Sequence, residues 1–179
     1  RAADIPQNFN ATVSGINTNI DVDATIGRSG SISFWYNSNQ RWNQGDKQLF
    51  DASGLNNRWF YLTKKTNGRL RFAVSDSAGA TVAAETPNDN SAAGNWRHIA
   101  VTWRLAAGSN QTVLRIYVDG NLLSSQQGTT NGALPSSLGT LILGDNVADI
   151  QHTNGGSLNS ADGRLDEVKV YNFELSNAD

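Results

Sequence analysis

The chain has no cysteine and only 2 histidines in 179 residues. Without cysteine there are no disulfides, no thiol nucleophile and no thiolate metal site. His98 and His152 stand far apart in sequence, which argues against a zinc site. Charge is also sparse: Asp, Glu, Lys and Arg make up 17% of the residues, and the net charge is -2. No basic surface therefore recommends nucleic acid as a partner. No apolar run approaches the roughly 18–20 residues of a membrane-spanning helix. No secretory signal pattern is visible, and the start at Arg1 reads as a domain excised from a longer precursor.

Asn, Ser, Thr, Gly and Ala are abundant, a composition that suits an extracellular bacterial β-protein. Asn10-Ala11-Thr12 and Asn110-Gln111-Thr112 match the glycosylation triplet, a pattern common by chance. The strongest local signal runs from Gly94 to Gly120. Ile99, Val101 and Trp103 alternate with polar residues, as do Leu114, Ile116 and Val118. Such period-2 alternation marks strands buried on one face. A polar link over residues 105–111 makes the two runs a hairpin, and Asp119-Gly120 turns the chain into a further strand at residues 121–127. Residues 30–37 alternate as cleanly, with Ile32, Phe34 and Tyr36 on one side. Strands are further expected at residues 9–13, 19–23, 47–52, 58–64, 68–76, 80–84, 138–144 and 164–172, with a possible helical turn at 175–179. No segment shows sustained helical periodicity. A dozen short strands with turns between them predict an all-β, two-sheet antiparallel jelly-roll sandwich forming one domain over residues 1–179.

The alternation also defines an outward set that is unusually rich in aromatic and cationic residues. It comprises Ser33, Trp35 and Asn37; Trp59, Tyr61 and Thr63; Arg69 and Arg71; Trp96, His98 and Thr102; and Arg115 and Tyr117. Aromatic faces stack on sugar rings, while Arg, Asn and His present donors to hydroxyl or acidic groups. A loop rim is the second candidate. It holds Arg41 and Trp42, then Asn56, Asn57 and Arg58, and then Asp145, Asn146, Asp149, Gln151, His152 and Asn154 in the longest irregular stretch. Trp42 either stands exposed beside Arg41 as a sugar-end platform or packs across its loop stem as a plug.

Four segments taken together resemble the laminin-G-like domains of the concanavalin A-like lectin/glucanase superfamily. They are Ser-Ile-Ser-Phe-Trp-Tyr at 31–36, Asn-Trp-Arg-His-Ile-Ala-Val-Thr-Trp at 95–103, Leu-Arg-Ile-Tyr-Val-Asp-Gly at 114–120 and Gly-Arg-Leu-Asp-Glu-Val-Lys-Val-Tyr-Asn-Phe-Glu-Leu-Ser at 163–176. The resemblance implies one convex and one concave sheet, the concave one carrying a ligand groove in many members. It also assigns Trp96 and His98 to the common framework. Fold alone does not fix function here. Glycosidases of this superfamily pair carboxylates on one strand, about 5–5.5 Å apart for retaining chemistry. Glu85, Glu167 and Glu174 are the only glutamates, and no such motif joins them. Asp21 and Asp23 form an i, i+2 pair of the kind found on solvated faces. The lyase strand motif Gln-Ile-His is present only in scrambled order, at residues 149–152. The resemblance further implies a structural calcium, with Asp166 on the last strand as a ligand and Asn10 and Asp51 as candidates beside it. The expected function is a non-catalytic polysaccharide-binding module of a secreted enzyme or adhesin. The alternatives are a laminin-G-type protein-interaction and cell-adhesion domain and, behind it, a polysaccharide hydrolase or lyase. Expected partners are a glycan, a protein or other domains of the same precursor.

Overall fold

The structure, a computed structural model, describes residues 2–7, 15–108, 111–147, 157 and 159–176. Among the described residues twelve strands form two antiparallel sheets of six strands each. Sheet A runs in the order β1 (Ala3–Ile5), β12 (Gly163–Tyr171), β3 (Ser29–Ser38), β8 (Trp96–Arg104), β9 (Thr112–Val118) and β10 (Asn121–Gly128). Sheet B runs β2 (Ile16–Asp21), β11 (Thr140–Leu143), β4 (Lys47–Asp51), β5 (Phe60–Lys64), β6 (Leu70–Ser75) and β7 (Thr81–Glu85). The strand expected at residues 9–13 lies outside the described residues. β1 was not expected, because three residues are too short to show alternation. Leu175 and Ser176 are not helical, and the remainder of that expected turn lies outside the described residues. A single π-helical turn, Val22–Ile26, follows β2 and is capped by Asp21, whose carboxylate accepts from the Ala24 amide.

The inward sets form one core shared by both sheets. Ile32, Phe34 and Tyr36 of β3 and Ile99, Val101 and Trp103 of β8 come from sheet A, and Phe50, Phe60, Leu62 and Phe72 come from sheet B. Trp103 bridges the sheets: its ring lies 5.0 Å from that of Phe60, edge to face. Gly30 makes room for it, since a Cβ there would fall 2.5 Å from the indole. The Asp119-Gly120 turn has φ of 50° and 78° at its two residues, the left-handed pair that a tight hairpin demands.

One end of the core breaks the apolar rule. Lys47 and Lys64 face each other across β4 and β5 and are both buried. Lys47 pairs with Asp162 at 3.2 Å. Lys64 donates to the carbonyls of Trp42, Gln44 and Gly45 at 2.8, 2.9 and 3.0 Å. Burial, followed by the charge of Lys47, pulls the Lys64 amine down to about 8. Lys64 thereby fastens the loop between β3 and β4 onto the end of the sandwich, and Lys47 ties in the residue before β12.

Candidate functional site

Alternation separates inward from outward residues but does not say which sheet an outward residue belongs to. The outward set divides accordingly between two opposite surfaces. Trp59, Tyr61, Thr63 and Arg71 lie on the outside of sheet B, whereas Trp35, Trp96, His98, Arg115 and Tyr117 lie on the outside of sheet A. They do not line a common groove.

The outside of sheet B is largely occupied by the protein itself. Trp59 and Tyr61 are 3% and 0% exposed and pack with Ala73, Ala83 and Val147. The Val147 amide donates to Asp51 Oδ2 at 2.8 Å, and the Ser157 amide donates to Gln48 Oε1 at 2.9 Å. Val147 and Ser157 are thereby held on this face. Arg71 donates to Glu85 at 2.6 Å and to the Tyr61 hydroxyl at 3.3 Å. Burial raises the Tyr61 phenol, and Arg71 pulls it partly back. Burial alone would raise the Glu85 carboxyl as well, but Arg71 and Arg69 outweigh it and hold the group low. Trp59, Tyr61 and Arg71 are therefore engaged within the fold and do not form an open platform.

The rim set does not converge either. Trp42 is the plug: it is 3% exposed, packs on Tyr36 at 5.7 Å and carries the Arg97 guanidinium 5.4 Å from its ring centre. Arg41 is exposed and donates to the Asn90 carbonyl, and Arg58 donates to the Asn56 carbonyl. Asp149, His152 and Asn154 lie outside the described residues. So does Asn10 of the expected metal set. Asp51 lies on the outside of sheet B and Asp166 on the outside of sheet A, so these two cannot ligate one ion. Among the described residues no three of His, Cys, Asp and Glu come together in a metal-binding group.

The outside of sheet A is different. Two tryptophans are solvent-facing there, Trp35 at 36% and Trp96 at 39% exposure. Trp35 leans on His98, with ring centres 5.3 Å apart. Next to this pair, strand register builds a trough. Lys169, Ser33, Ala100 and Tyr117 stand in one row across β12, β3, β8 and β9. Tyr171, Ser31, Thr102 and Arg115 form the adjacent row. Small residues occupy the two middle strands and large ones the flanks. At about 4.8 Å per strand the flanks stand roughly 14 Å apart at the backbone. The segment after β12 closes one end. Ser31 donates to the Phe173 carbonyl at 2.8 Å and accepts from the Leu175 amide at 2.8 Å, which lays that segment along the sheet. Glu174 holds Arg104 at 3.2 Å and Arg115 at 3.5 Å. The result is a pocket of about 360 Å³ lined among others by Ser33, His98, Tyr117, Lys169, Tyr171 and Phe173. That is the lower end of the range of about 300–1,000 Å³ found for small-ligand sites.

Of the residues expected at a ligand face, Tyr117 lines this pocket and Arg115 stands in the row beside it, held by Glu174. Lys169, Tyr171, Phe173 and Ser33 complete the pocket without having been singled out as ligand contacts. Their signal was the row of small outward residues, which becomes visible only once the strand register is known.

A two-sheet antiparallel sandwich with a pocket and exposed aromatics on one outer face is the architecture of lectin-like binding domains. The chain belongs to the concanavalin A-like lectin/glucanases superfamily: a laminin-G family model of that superfamily matches residues 10–179. The rat (Rattus norvegicus) sushi, von Willebrand factor type A, EGF and pentraxin domain-containing protein 1 is 28% identical over 178 residues. That match takes in 96% of this chain but only 5% of the rat protein. The CBM40 domain of the Ruminococcus gnavus IT-sialidase superposes with a TM-score of 0.67 at 15% identity, covering 99% of this chain and 92% of that one. The same domain has been solved bound to α2,3 sialyllactose. Domains LG4-5 of mouse laminin α1 superpose with a TM-score of 0.60 at 14% identity, over 94% of this chain and 39% of that one. At these identities the solved structures show a shared fold. Among the described residues, no helix is long and apolar enough to cross a membrane.

Proposed function

We propose that this domain is a non-catalytic carbohydrate-binding module and that its site is the outer face of sheet A. The observation that carries the proposal is the trough between β9 and β12, flanked by Tyr117 and Tyr171 and continued by the exposed ring of Trp35. The exposed Trp35 ring and the half-buried rings of Tyr117 and Tyr171 can stack on the C–H faces of pyranose rings, and the Ser33 hydroxyl and His98 ring at their base can meet sugar hydroxyls. The sialidase module of the same fold, bound to a sialylated sugar, supports a glycan as ligand. The three glutamates support a binding role over hydrolysis. Glu85 and Glu174 are held by arginines, and Glu167 is exposed on β12, on the other sheet from Glu85. Secretion as one part of a larger protein belongs to the same proposal.

The test is affinity electrophoresis and calorimetry against a panel of soluble polysaccharides and oligosaccharides. At least one member is expected to bind. Trp35→Ala and Tyr117→Ala are each expected to weaken it by about tenfold, the loss typical of an aromatic binding anchor. Release of reducing ends or unsaturated products from the panel would overturn the non-catalytic part.

Calcium enters the proposal at Asp51, one of the expected residues, without Asp166. Asp51, Asp145 and Asn146 are all buried where β4 meets the segment after β11. Two carboxylates and a carboxamide suit calcium, which completes a shell of about six to eight oxygens with carbonyls and waters. An ion here would brace the segment against sheet B. Chelation with EDTA is then expected to lower the melting temperature and added calcium to restore it. An unchanged melting temperature removes the ion from the account.

A further inference from the structure

The cations of this protein are almost all spoken for. Arg41 and Arg58 donate to backbone carbonyls. Lys47, Lys65, Arg69, Arg71, Arg97, Arg104, Arg115 and Arg164 pair with carboxylates, and Lys64 with three carbonyls. Among the described residues only Arg28 and Lys169 have no acceptor in the protein. Lys169 stands on the wall of the sheet A pocket, and among the described residues no carboxylate lines that pocket. The one nearby acid on the closing segment, Glu174, is already shared between Arg104 and Arg115.

Two hydroxyls that line the pocket, those of Ser33 and Thr102, make no hydrogen bond within the protein either. Ser33 is 5% exposed and lines the pocket, where its hydroxyl remains open to a ligand. Thr102, fully buried beneath the closing segment, has a hydroxyl without a partner. A buried hydroxyl left without a partner is costly, so unmet groups clustered at one pocket mark a place where something else supplies the bonds. A cation, a free hydroxyl at the base and two tyrosine flanks together select an amphipathic ring with one negative charge.

We infer that this pocket takes a single sugar residue bearing a carboxylate, with the carboxylate on Lys169 and the ring against Tyr117 and Tyr171. The inference rests on the glycan-binding proposal above and narrows its ligand class. The volume suits one ring with its substituents, so the pocket reads a chain end or a side branch, and the ridge of Trp35 and Trp96 carries the neighbouring residues. A carboxylate meeting an unpaired ammonium gains a charge-assisted hydrogen bond, about twice as strong as a neutral one. A neutral sugar would leave the exposed Lys169 to water and gain no such bond.

Calorimetry on the whole domain tests this with three ligand groups: oligomers of glucuronate or galacturonate, sialyllactose, and neutral oligosaccharides of matching length. One of the acidic groups is expected to bind about tenfold or more tightly than the neutral group, and which one does so separates uronic from sialic acids. Lys169→Gln should erase that preference. Arg28→Gln, which removes the other unpaired cation, should leave the preference intact. Thr102→Val should keep the fold at least as stable as the parent, because it deletes an unmet hydroxyl, and so reports whether the pocket floor remains intact. Equal binding of acidic and neutral ligands, or a preference that survives Lys169→Gln, overturns the inference and leaves glycan binding standing. Failure of all three groups to bind overturns the glycan proposal itself.

Discussion

Trp103→Ala is expected to be the most damaging single substitution in this domain, at about 3–5 kcal/mol. The side chain is fully buried and touches both sheets: its ring meets Phe60 at 5.0 Å and Phe72 at 6.3 Å, and its indole N–H donates to the Gly27 carbonyl at 3.1 Å. Alanine removes the largest buried side chain, leaves a void that close-packed neighbours only partly fill, and orphans the Gly27 carbonyl. In a domain of this size each kcal/mol lowers the melting temperature by roughly 2–4 °C, so a fall of about 10 °C or more is expected. Thermal unfolding followed by circular dichroism reads it. A fall of only 1 or 2 °C would mean that Trp103 is not the bridge described.

Asp162→Ala is expected to cost a similar amount, about 3–5 kcal/mol, for an electrostatic reason. Asp162 and Lys47 have side-chain exposures of only 7% and 2%. Removing the carboxylate takes the counter-charge from a lysine that has little access to water, and it also frees the Asn39 carboxamide that bonds Asp162 at 3.1 Å. The loss comes mainly from the stranded charge, so removing both charges should be milder. Lys47→Met/Asp162→Asn is expected to recover a good part of the stability lost by Asp162→Ala. Denaturant melts of both variants decide the matter. A double variant no better than the single one would show that packing or hydrogen bonding, and not charge burial, holds this end.

These two residues show what could be read from the sequence and what could not. Trp103 sits in strict alternation with Ile99 and Val101, and its burial followed directly. So did the hairpin of β8 and β9 and the turn at Asp119-Gly120, because each rests on local pattern and backbone preference. Lys47 and Lys64 break the same rule. They are inward lysines whose partners, Asp162 and the carbonyls at Trp42, Gln44 and Gly45, come from elsewhere in the chain. Trp42 lay in a loop without periodicity, and only the three-dimensional path of that loop decides that it is a plug.

The candidate site was half legible for a related reason. Trp35, His98, Arg115 and Tyr117 were correctly read as outward. Trp59, Tyr61 and Arg71 also point out of their sheet, but that sheet is the other one, and Val147 packs over Trp59 and Tyr61 there. Parity along a strand is a local property, whereas sheet membership depends on strand order. Lys169 illustrates the same limit. Nothing in its surroundings on β12 distinguishes it, and only its row with Ser33, Ala100 and Tyr117 shows a cation at the side of a trough floored by small residues.

The tryptophans provide the most direct test of that placement, because the 5 of them sample every surface in question. Trp35 and Trp96 stand exposed on the outside of sheet A, Trp59 lies on the outside of sheet B, and Trp42 and Trp103 are in the core. Their indole N–H signals, followed in nitrogen–proton correlation spectra while a bound oligosaccharide is titrated in, report which surface the ligand touches. The signals of Trp35 and Trp96 are expected to move while those of Trp42, Trp59 and Trp103 stay in place. Movement of the Trp59 signal with Trp35 and Trp96 unmoved would contradict the account and put the ligand on the other sheet.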